Sequence, residues 1–408
     1  LENPYYGMSS NQIDMLNGRF LHDQGHTGKN ILVAVIDAGF YRVDTLFAFK
    51  YLRDNNKILA VHDFVDGDSN VFDAHTHGLV VFSVMGGRLY GKLIGTAPEA
   101  DYILLRTENG GSEFLIEEEA WISAVEYADS AGVDVVNTSL GYSDFDDPKM
   151  DHTYSDMDGN TTRISRAADI ASEKGILVVS SAGNEGASPW RYITSPADGD
   201  SVLAVGAVNP DGTYAMFSSA GPSSDMDVKP NVVAQGVAVV AASYRDSMIT
   251  LTNGTSLSSP VLAGMSASLW SAFPGMTNMQ VKRAIEKSAH LYASPNNELG
   301  YGIPDFEVAY KMLSVENEPR QYGIEILELY PNPVNDHFVI DFVSKSEEDI
   351  QIFVYDNMGR LMLSNTVEAH EDQVYKVRVP LKPDISPGLY IVKLLNSMST
   401  TQEKIMKF

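Results

Sequence analysis

Gly254-Thr255-Ser256-Leu257-Ser258-Ser259-Pro260 sets a serine at the mouth of a long apolar segment, Pro260 to Phe273. If that segment is helical, Ser256 stands at its N-terminus. Unpaired amide N–H groups and the helix dipole favour developing negative charge there. A serine that attacks a carbonyl carbon creates an oxyanion and needs such a place. The plainer reading is that Thr255 or Ser256 only caps a buried helix.

A nucleophilic serine requires a base, and the base requires a carboxylate to orient it. The apolar run Ile31–Ile36 ends at Asp37-Ala38-Gly39. A carboxylate leaving a central parallel strand lies where α/β folds place their sites, although Asp is also a common turn residue. His77 opens His77-Gly78-Leu79-Val80-Val81-Phe82, another apolar helix candidate, and an imidazole at a helix mouth is a plausible base. The alternative is a capping or core histidine; His75, on the polar side of the segment, is a decoy. Ser180-Ser181-Ala182-Gly183-Asn184-Glu185-Gly186 follows a strand candidate, and the Asn184 amide could donate to an oxyanion or merely form a turn. Asn137-Thr138-Ser139-Leu140-Gly141 leaves a buried strand, and its backbone could pair with an extended peptide.

The elements that must position these groups alternate along residues 30 to 315. The strand runs are Ile31–Ile36, Lys57–Val61, Tyr102–Leu105, Val133–Asn137, Ile176–Ser180, Val202–Val208 and Val237–Ala242. Several are apolar at consecutive positions, as in strands buried on both faces of a mainly parallel sheet. Helix-period segments lie between them, at Glu117–Ser130 and Arg163–Lys174, which is an α/β signature. The segment after Ser256 is apolar or small on every side and should lie in the middle of its domain.

In identity, order and spacing, Asp37, His77, Ser139-Leu140-Gly141, Asn184 and Ser256 resemble the subtilisin-like serine proteases, the subtilase family. The order Asp, His, Ser is that of subtilisin. Gly95-Thr96-Ala97-Pro98, Phe217-Ser218-Ser219-Ala220-Gly221-Pro222 and Lys229-Pro230-Asn231-Val232 extend the likeness over residues 10 to 315. The resemblance implies a three-layer sheet with helices on both faces and a Ser-His-Asp triad of Asp37, His77 and Ser256. It further implies Asn184 as the oxyanion donor and Ser139, Leu140 and Gly141 as a wall of the substrate cleft. Two neighbours depart from the family: Ala38 stands where Thr or Ser is usual, and Leu79 where Thr is usual.

Past a polar stretch, Ser314 to Gln321, the texture changes to short alternating segments, His337–Val343, Ile350–Tyr355, Val374–Val379, Leu389–Leu394 and Thr400–Lys407, between Pro, Gly and Asn. The expected division is a peptidase domain over 1–315, a linker over 316–324 and a small all-β sandwich over 325–408. Asp356-Asn357-Met358-Gly359-Arg360 reads as a hairpin turn. Tyr330-Pro331-Asn332-Pro333-Val334, Val354 to Arg360 and Pro387-Gly388-Leu389-Tyr390-Ile391-Val392 resemble the C-terminal sorting domain of the type IX secretion system of Bacteroidetes. That likeness implies a secreted or cell-surface protein and secretion machinery as a partner; the alternative is an accessory sandwich.

The 408 residues carry 54 acidic and 29 basic side chains, a net charge of −25, which argues against a nucleic-acid partner. The absence of cysteine excludes disulfides, thiolate metal sites and a thiol nucleophile. No run of 18 apolar residues could span a membrane, and the N-terminus lacks a signal-peptide profile. No cofactor is needed for the chemistry. Structural calcium is an expectation for two acidic stretches, Asp144, Asp146, Asp147, Asp151, Asp156 and Asp158, and Asp63, Asp66, Asp68 and Asp73. The first fails the EF-hand pattern, with Tyr154 and Ser165 at its first and twelfth positions, and a solvated acidic loop is the alternative for each. The function expected is a secreted serine endopeptidase acting on polypeptides through an acyl-enzyme. The rivals are a non-catalytic surface or adhesive protein on the same scaffold, and an esterase.

Overall fold

Strands that are apolar on consecutive positions are stable only where both faces are covered. The computed structural model, which describes residues 5–317, 324–370, 373–382, 385–397 and 399–408, gathers them into one sheet of seven strands. In chain order these are β1 Leu32–Asp37, β2 Ile58–Asp63, β3 Asp101–Arg106, β4 Val135–Thr138, β5 Leu177–Ser181, β6 Leu203–Val208 and β7 Val232–Gln235. Across the sheet they run β2-β3-β1-β4-β5-β6-β7, and every pairing is parallel. The chain lays β2 and β3 on one side of β1, then β4 to β7 on the other. Such a reversal opens a crevice at the carboxyl ends of the strands.

Helices cover both faces. α1 (His77–Gly86) and α4 (Thr255–Trp270) share a core with Val33, Val35, Leu104 and Val179. α2 (Ile116–Ser130) and α3 (Arg163–Glu173) close over Ala34, Ile36, Leu105 and Val178. Successive residues of β1 therefore enter different cores, following the strand period of two. Three layers result. Every residue of α4 is buried, which an all-round apolar helix demands.

One expected strand is placed differently. Val239–Ala242 pairs antiparallel with Ile249–Thr252 in a separate ribbon, and β7 takes the edge of the large sheet. With four residues directly after Pro230 and Asn231, β7 is too short to show a period in sequence.

The chain divides into two compact units, Leu1–Val315 and Glu316–Phe408. The helix Phe306–Asn317 runs past the point where the sequence suggests a linker, and Ile324 already begins a strand. Positions 318–323 of that expected linker lie outside the described residues. In the second unit Ile324–Tyr330, His337–Ser344 and Val374–Pro380 form one antiparallel sheet. Leu361–Val367, Ile350–Asp356, Gly388–Leu395 and Thr400–Lys407 form another. Phe338 and Ile340 from the first and Ile352, Val354 and Val392 from the second share one core, making an all-β unit. The expected turn is present, with the Asp356 carboxylate accepting the Met358 and Arg360 amides at 2.9 Å each.

Candidate active site

Asp37 closes β1 at the central carboxyl edge and is fully buried. Its Oδ1 accepts the Ala38 amide at 2.7 Å and faces Nδ1 of His77 at 2.8 Å. His77 is the first residue of α1, as its place before an apolar run predicts. The close approach depends on Gly78: a Cβ there would lie 2.4 Å from the Gly39 carbonyl oxygen and 3.0 Å from Asp37 Oδ1. His75 is exposed, and its Nδ1 accepts the His77 amide at 3.1 Å, so the decoy supports the base.

The bond to Asp37 also fixes the ring. With Nδ1–H directed at the carboxylate, Nε2 is the nitrogen left to take a proton. Burial works against a charged imidazole. The Asp37 charge and hydrogen bond, helped by Glu108, outweigh it and hold the His77 pKa above its ordinary value.

Ser256 occupies the second position of α4, at the helix mouth rather than before it. Gly254, at φ +147°, makes the turn into the helix, and a Cβ there would sit 2.8 Å from Ser256 Oγ. Pro260 lies inside the helix and lacks the amide that would bond the carbonyl four residues back, that of Ser256. Ser139 supplies the missing donor, its hydroxyl reaching Ser256 O at 2.9 Å. Asn137 secures both partners. Its Nδ2 donates to Ser139 Oγ at 3.2 Å and its Oδ1 accepts the Ser259 hydroxyl at 3.0 Å. The end of β4 is thereby bolted to the first turn of α4.

Asn184 follows β5. Its Oδ1 accepts both the Thr255 amide, at 2.9 Å, and the Thr255 hydroxyl, at 3.1 Å. An amide whose oxygen is so engaged must turn its NH₂ the other way. Asn184 is exposed and lines a cavity together with Ser139, Leu140 and Gly141. The same three residues line a second cavity with His77. The structure thus joins Asp37 to His77 directly, ties the Ser256 carbonyl to the cleft wall through Ser139, and links Asn184 to the adjacent Thr255. It records no hydrogen bond between His77 and the Ser256 hydroxyl.

Residues 28–302 match the subtilase family and residues 328–407 the secretion system C-terminal sorting domain. The chain belongs to the subtilase family. It is 30% identical to subtilisin DY of Bacillus licheniformis over 68% of this chain and 90% of that one. To subtilisin E of Bacillus subtilis (strain 168) it is 31% identical over 73% and 70%. Among solved structures, MycP1 from Mycobacterium smegmatis aligns with TM-score 0.57 at 23% identity, over 75% of this chain and 87% of that one. A cold adapted subtilisin-like serine proteinase aligns with TM-score 0.52 at 23% identity, over 68% and 88%. These two likenesses speak for the fold. This subtilase is a serine endopeptidase with a subtilisin-like sheet, and its tail marks it for secretion or cell-surface export. No helix among the described residues is long and apolar enough to cross a membrane.

The two departures of this subtilase from its family have structural counterparts. With Ala38 in place of a hydroxyl residue, Asp37 Oδ2 is buried without a hydrogen-bond partner. Leu79 is fully buried in the core under α1.

Sequence reasoning missed several residues here. Thr255 and Ser259 read as helix caps or filler, and Asn137 as a strand end. Glu108 accepts the Tyr142 hydroxyl in a short hydrogen bond and lines the cleft with His77. Burial pushes its carboxyl up to about 8 against that bond, with Glu117, Glu113 and Asp37 adding to the rise. No local motif signals these roles, because each partner comes from a different element.

The acidic stretches expected to hold calcium spend much of their oxygen elsewhere. Asp63 and Asp66 pair with Arg106 at 2.7 and 2.6 Å. Asp151, Asp156 and Asp158 accept backbone amides of their own loop. Among the described residues, the acidic groups whose oxygens converge are Glu108, Glu113 and Glu117, and the exposed Asp200, Asp225 and Asp227.

Proposed function

We propose that this subtilase cleaves peptide bonds through an acyl-enzyme on Ser256. An extended peptide lies along Ser139-Leu140-Gly141, its backbone pairing with that segment by strand addition. Ser256 Oγ attacks the scissile carbonyl carbon while His77 Nε2 takes the hydroxyl proton. That hydrogen bond must tighten as substrate binds, as is common for catalytic contacts in unliganded sites. The oxyanion is held by Asn184 Nδ2 and the Ser256 amide, the latter one of the unpaired donors of the α4 mouth. His77 then hands its proton to the leaving amine, the C–N bond breaks, and the acyl group stays on Ser256. Water attacks the ester, His77 accepts its proton and returns it to Oγ, and the acid product leaves. Asp37 stays ionised throughout and stabilises the imidazolium.

The observation that carries this reading is the 2.8 Å contact between buried Asp37 and His77, beside a cleft lined by His77 and by Ser139, whose hydroxyl bonds the Ser256 carbonyl. Casein turnover by the intact chain and by Ser256→Ala tests it. Hydrolysis that survives the substitution would overturn it. The tail is read as a type IX sorting signal, acting with secretion machinery; export that is unaffected when residues 328–407 are removed would end that reading. Calcium in the two acidic loops is proposed on the family likeness alone, and a melting temperature unchanged by chelator removes it.

A further inference from the structure

The cavity beside Asn184 differs in character from an apolar slot. It encloses about 360 Å³ between the Ser139-Leu140-Gly141 wall and the Gly183-Asn184 turn. Its charged lining consists of Glu113, Asp144, Asp146 and Glu185, without a lysine, arginine or histidine. Thr194, which is 4% exposed, also lines it. The Thr194 Oγ1 atom is buried without a hydrogen-bond partner. It sits between the two walls: a Cβ built on Gly141 would come within 2.2 Å of it, and one on Gly183 within 3.0 Å. Both walls need glycine where they pass that hydroxyl. An apolar side chain entering here would strand Thr194 Oγ1 and desolvate carboxylates with no compensating charge. A long side chain with a cationic, many-donor head would satisfy both at once.

On the endopeptidase reading this cavity takes the side chain of the residue whose carbonyl is attacked, and we propose that it selects arginine or lysine. The inference rests on the endopeptidase reading of the same cleft. The aliphatic stem lies against Leu140 and the glycine walls. The cationic head meets Thr194 Oγ1 and the ring of Asp144, Asp146, Glu113 and Glu185. The carboxylates are crowded before substrate arrives: burial, followed by the charges of Glu117, Asp144 and Asp146, pushes Glu113 up to about 7. A substrate cation relieves that repulsion. Asp146 is also fixed to Glu113 through the backbone, its amide donating to the Glu113 carbonyl at 2.9 Å and its Oδ2 accepting the Glu113 amide at 3.2 Å. The ring is therefore held together at the rim it shares with the neighbouring cavity, which both residues also line.

The test uses the intact chain and a set of peptides identical except at the residue before the scissile bond, with Arg, Lys, Phe, Leu or Glu there. The expected result is a kcat/KM for Arg and Lys on the order of 10²-fold above that for Phe and Leu. Replacing Asp144→Asn and Glu185→Gln together should cut kcat/KM for the Arg peptide about tenfold, chiefly through KM, and lower that for the Phe peptide less. The wild-type profile decides the question without any variant, and melting curves show whether the variant folds. Equal or greater turnover of the Phe and Leu peptides overturns the pocket assignment while leaving the endopeptidase standing. Absence of cleavage of every peptide, with wild-type chain that melts cooperatively, overturns the endopeptidase reading and this inference with it.

Discussion

In the peptidase unit β1 buries Val33, Ala34, Val35, Ile36 and Asp37 in succession, whereas His337–Ser344 of the tail unit turns Phe338, Ile340 and Phe342 inward and leaves the positions between them half-buried. The first strand is covered by helices on both faces, the second by one sheet on one face only. This difference decides where chemistry can be placed. A parallel strand with both faces covered ends at a deep carboxyl edge, so a polar group there is desolvated and its interactions count for more. Asp37, Asn137, Ser139 and Ser256 all gather at that edge. In the tail the buried polar residues among those described are Ser344, Asp356 and Asn396, and Asp356 serves a turn. The tail has the stability of a core without a place to concentrate charge.

The comparison is broken or sharpened by moving one unit at a time. Ser256→Ala should lower kcat by about 10⁶-fold, the figure for the corresponding loss in subtilisin itself, with the melting of both units unchanged. A parallel shift in the tail's melting would show that the units are not independent. Asn184→Ala should cost about 10²–10³ in kcat with little change in KM, again by analogy with subtilisin, because its NH₂ acts only once the oxyanion forms. In the opposite direction, Phe338→Ala should destabilise the tail by about 3–5 kcal/mol while peptide hydrolysis continues at the wild-type rate. Scanning calorimetry alongside a peptide assay separates the two effects.

Proton linkage gives smaller effects, confined to the peptidase unit. His77 must be neutral to act as a base, and its pKa is raised. Activity should therefore fall on the acid side with a midpoint above about 6.5. Glu108 also makes stability depend on pH. Folded, it keeps its proton up to about pH 8, against 4.5 for an ordinary glutamate. Between those values the folded state binds more protons than the unfolded one, so its contribution is progressively lost as pH rises. In Glu108→Gln the decline in melting temperature from pH 5 to pH 8 should be shallower by on the order of a few degrees, and the tail's transition should not change its slope.

The legibility of the two units in sequence follows the same contrast. Consecutive apolar runs marked six of the seven parallel strands. In β1 and β3 to β6 burial on both faces writes itself into nearly every position, while β2 at the sheet edge is mostly half-buried. β7 escaped, being only four residues long. In the tail Ile324–Tyr330 escaped because a bulge between Ile326 and Glu328 breaks its alternation. Leu361–Val367 escaped because it is largely exposed at a sheet edge and carries Ser, Asn and Thr. The elements carrying the expected residues were legible, since a serine at a helix mouth, a histidine before a helix and an aspartate ending a strand are local statements. His77, Asn184, Ser139, Leu140 and Gly141 line the cleft, Asp37 bonds His77, and the Ser256 carbonyl is tied to Ser139. The supports were not legible: Thr255 orienting Asn184, Ser139 donating to the carbonyl orphaned by Pro260, and Asn137 tying Ser139 to Ser259.

The chain by itself therefore determined which side chains carry reactive groups and which elements deliver them, because capping, periodicity and burial are short-range constraints on neighbouring residues. Only the tertiary structure decided what those groups meet. The 2.8 Å approach of Asp37 to His77 joins residues 40 positions apart, and the cavity that Thr194 lines draws its carboxylates from three separate segments, at Glu113, at Asp144 and Asp146, and at Glu185. Charge and hydrogen bonding act through space, and sequence distance does not record how close two strand ends come once a sheet has closed.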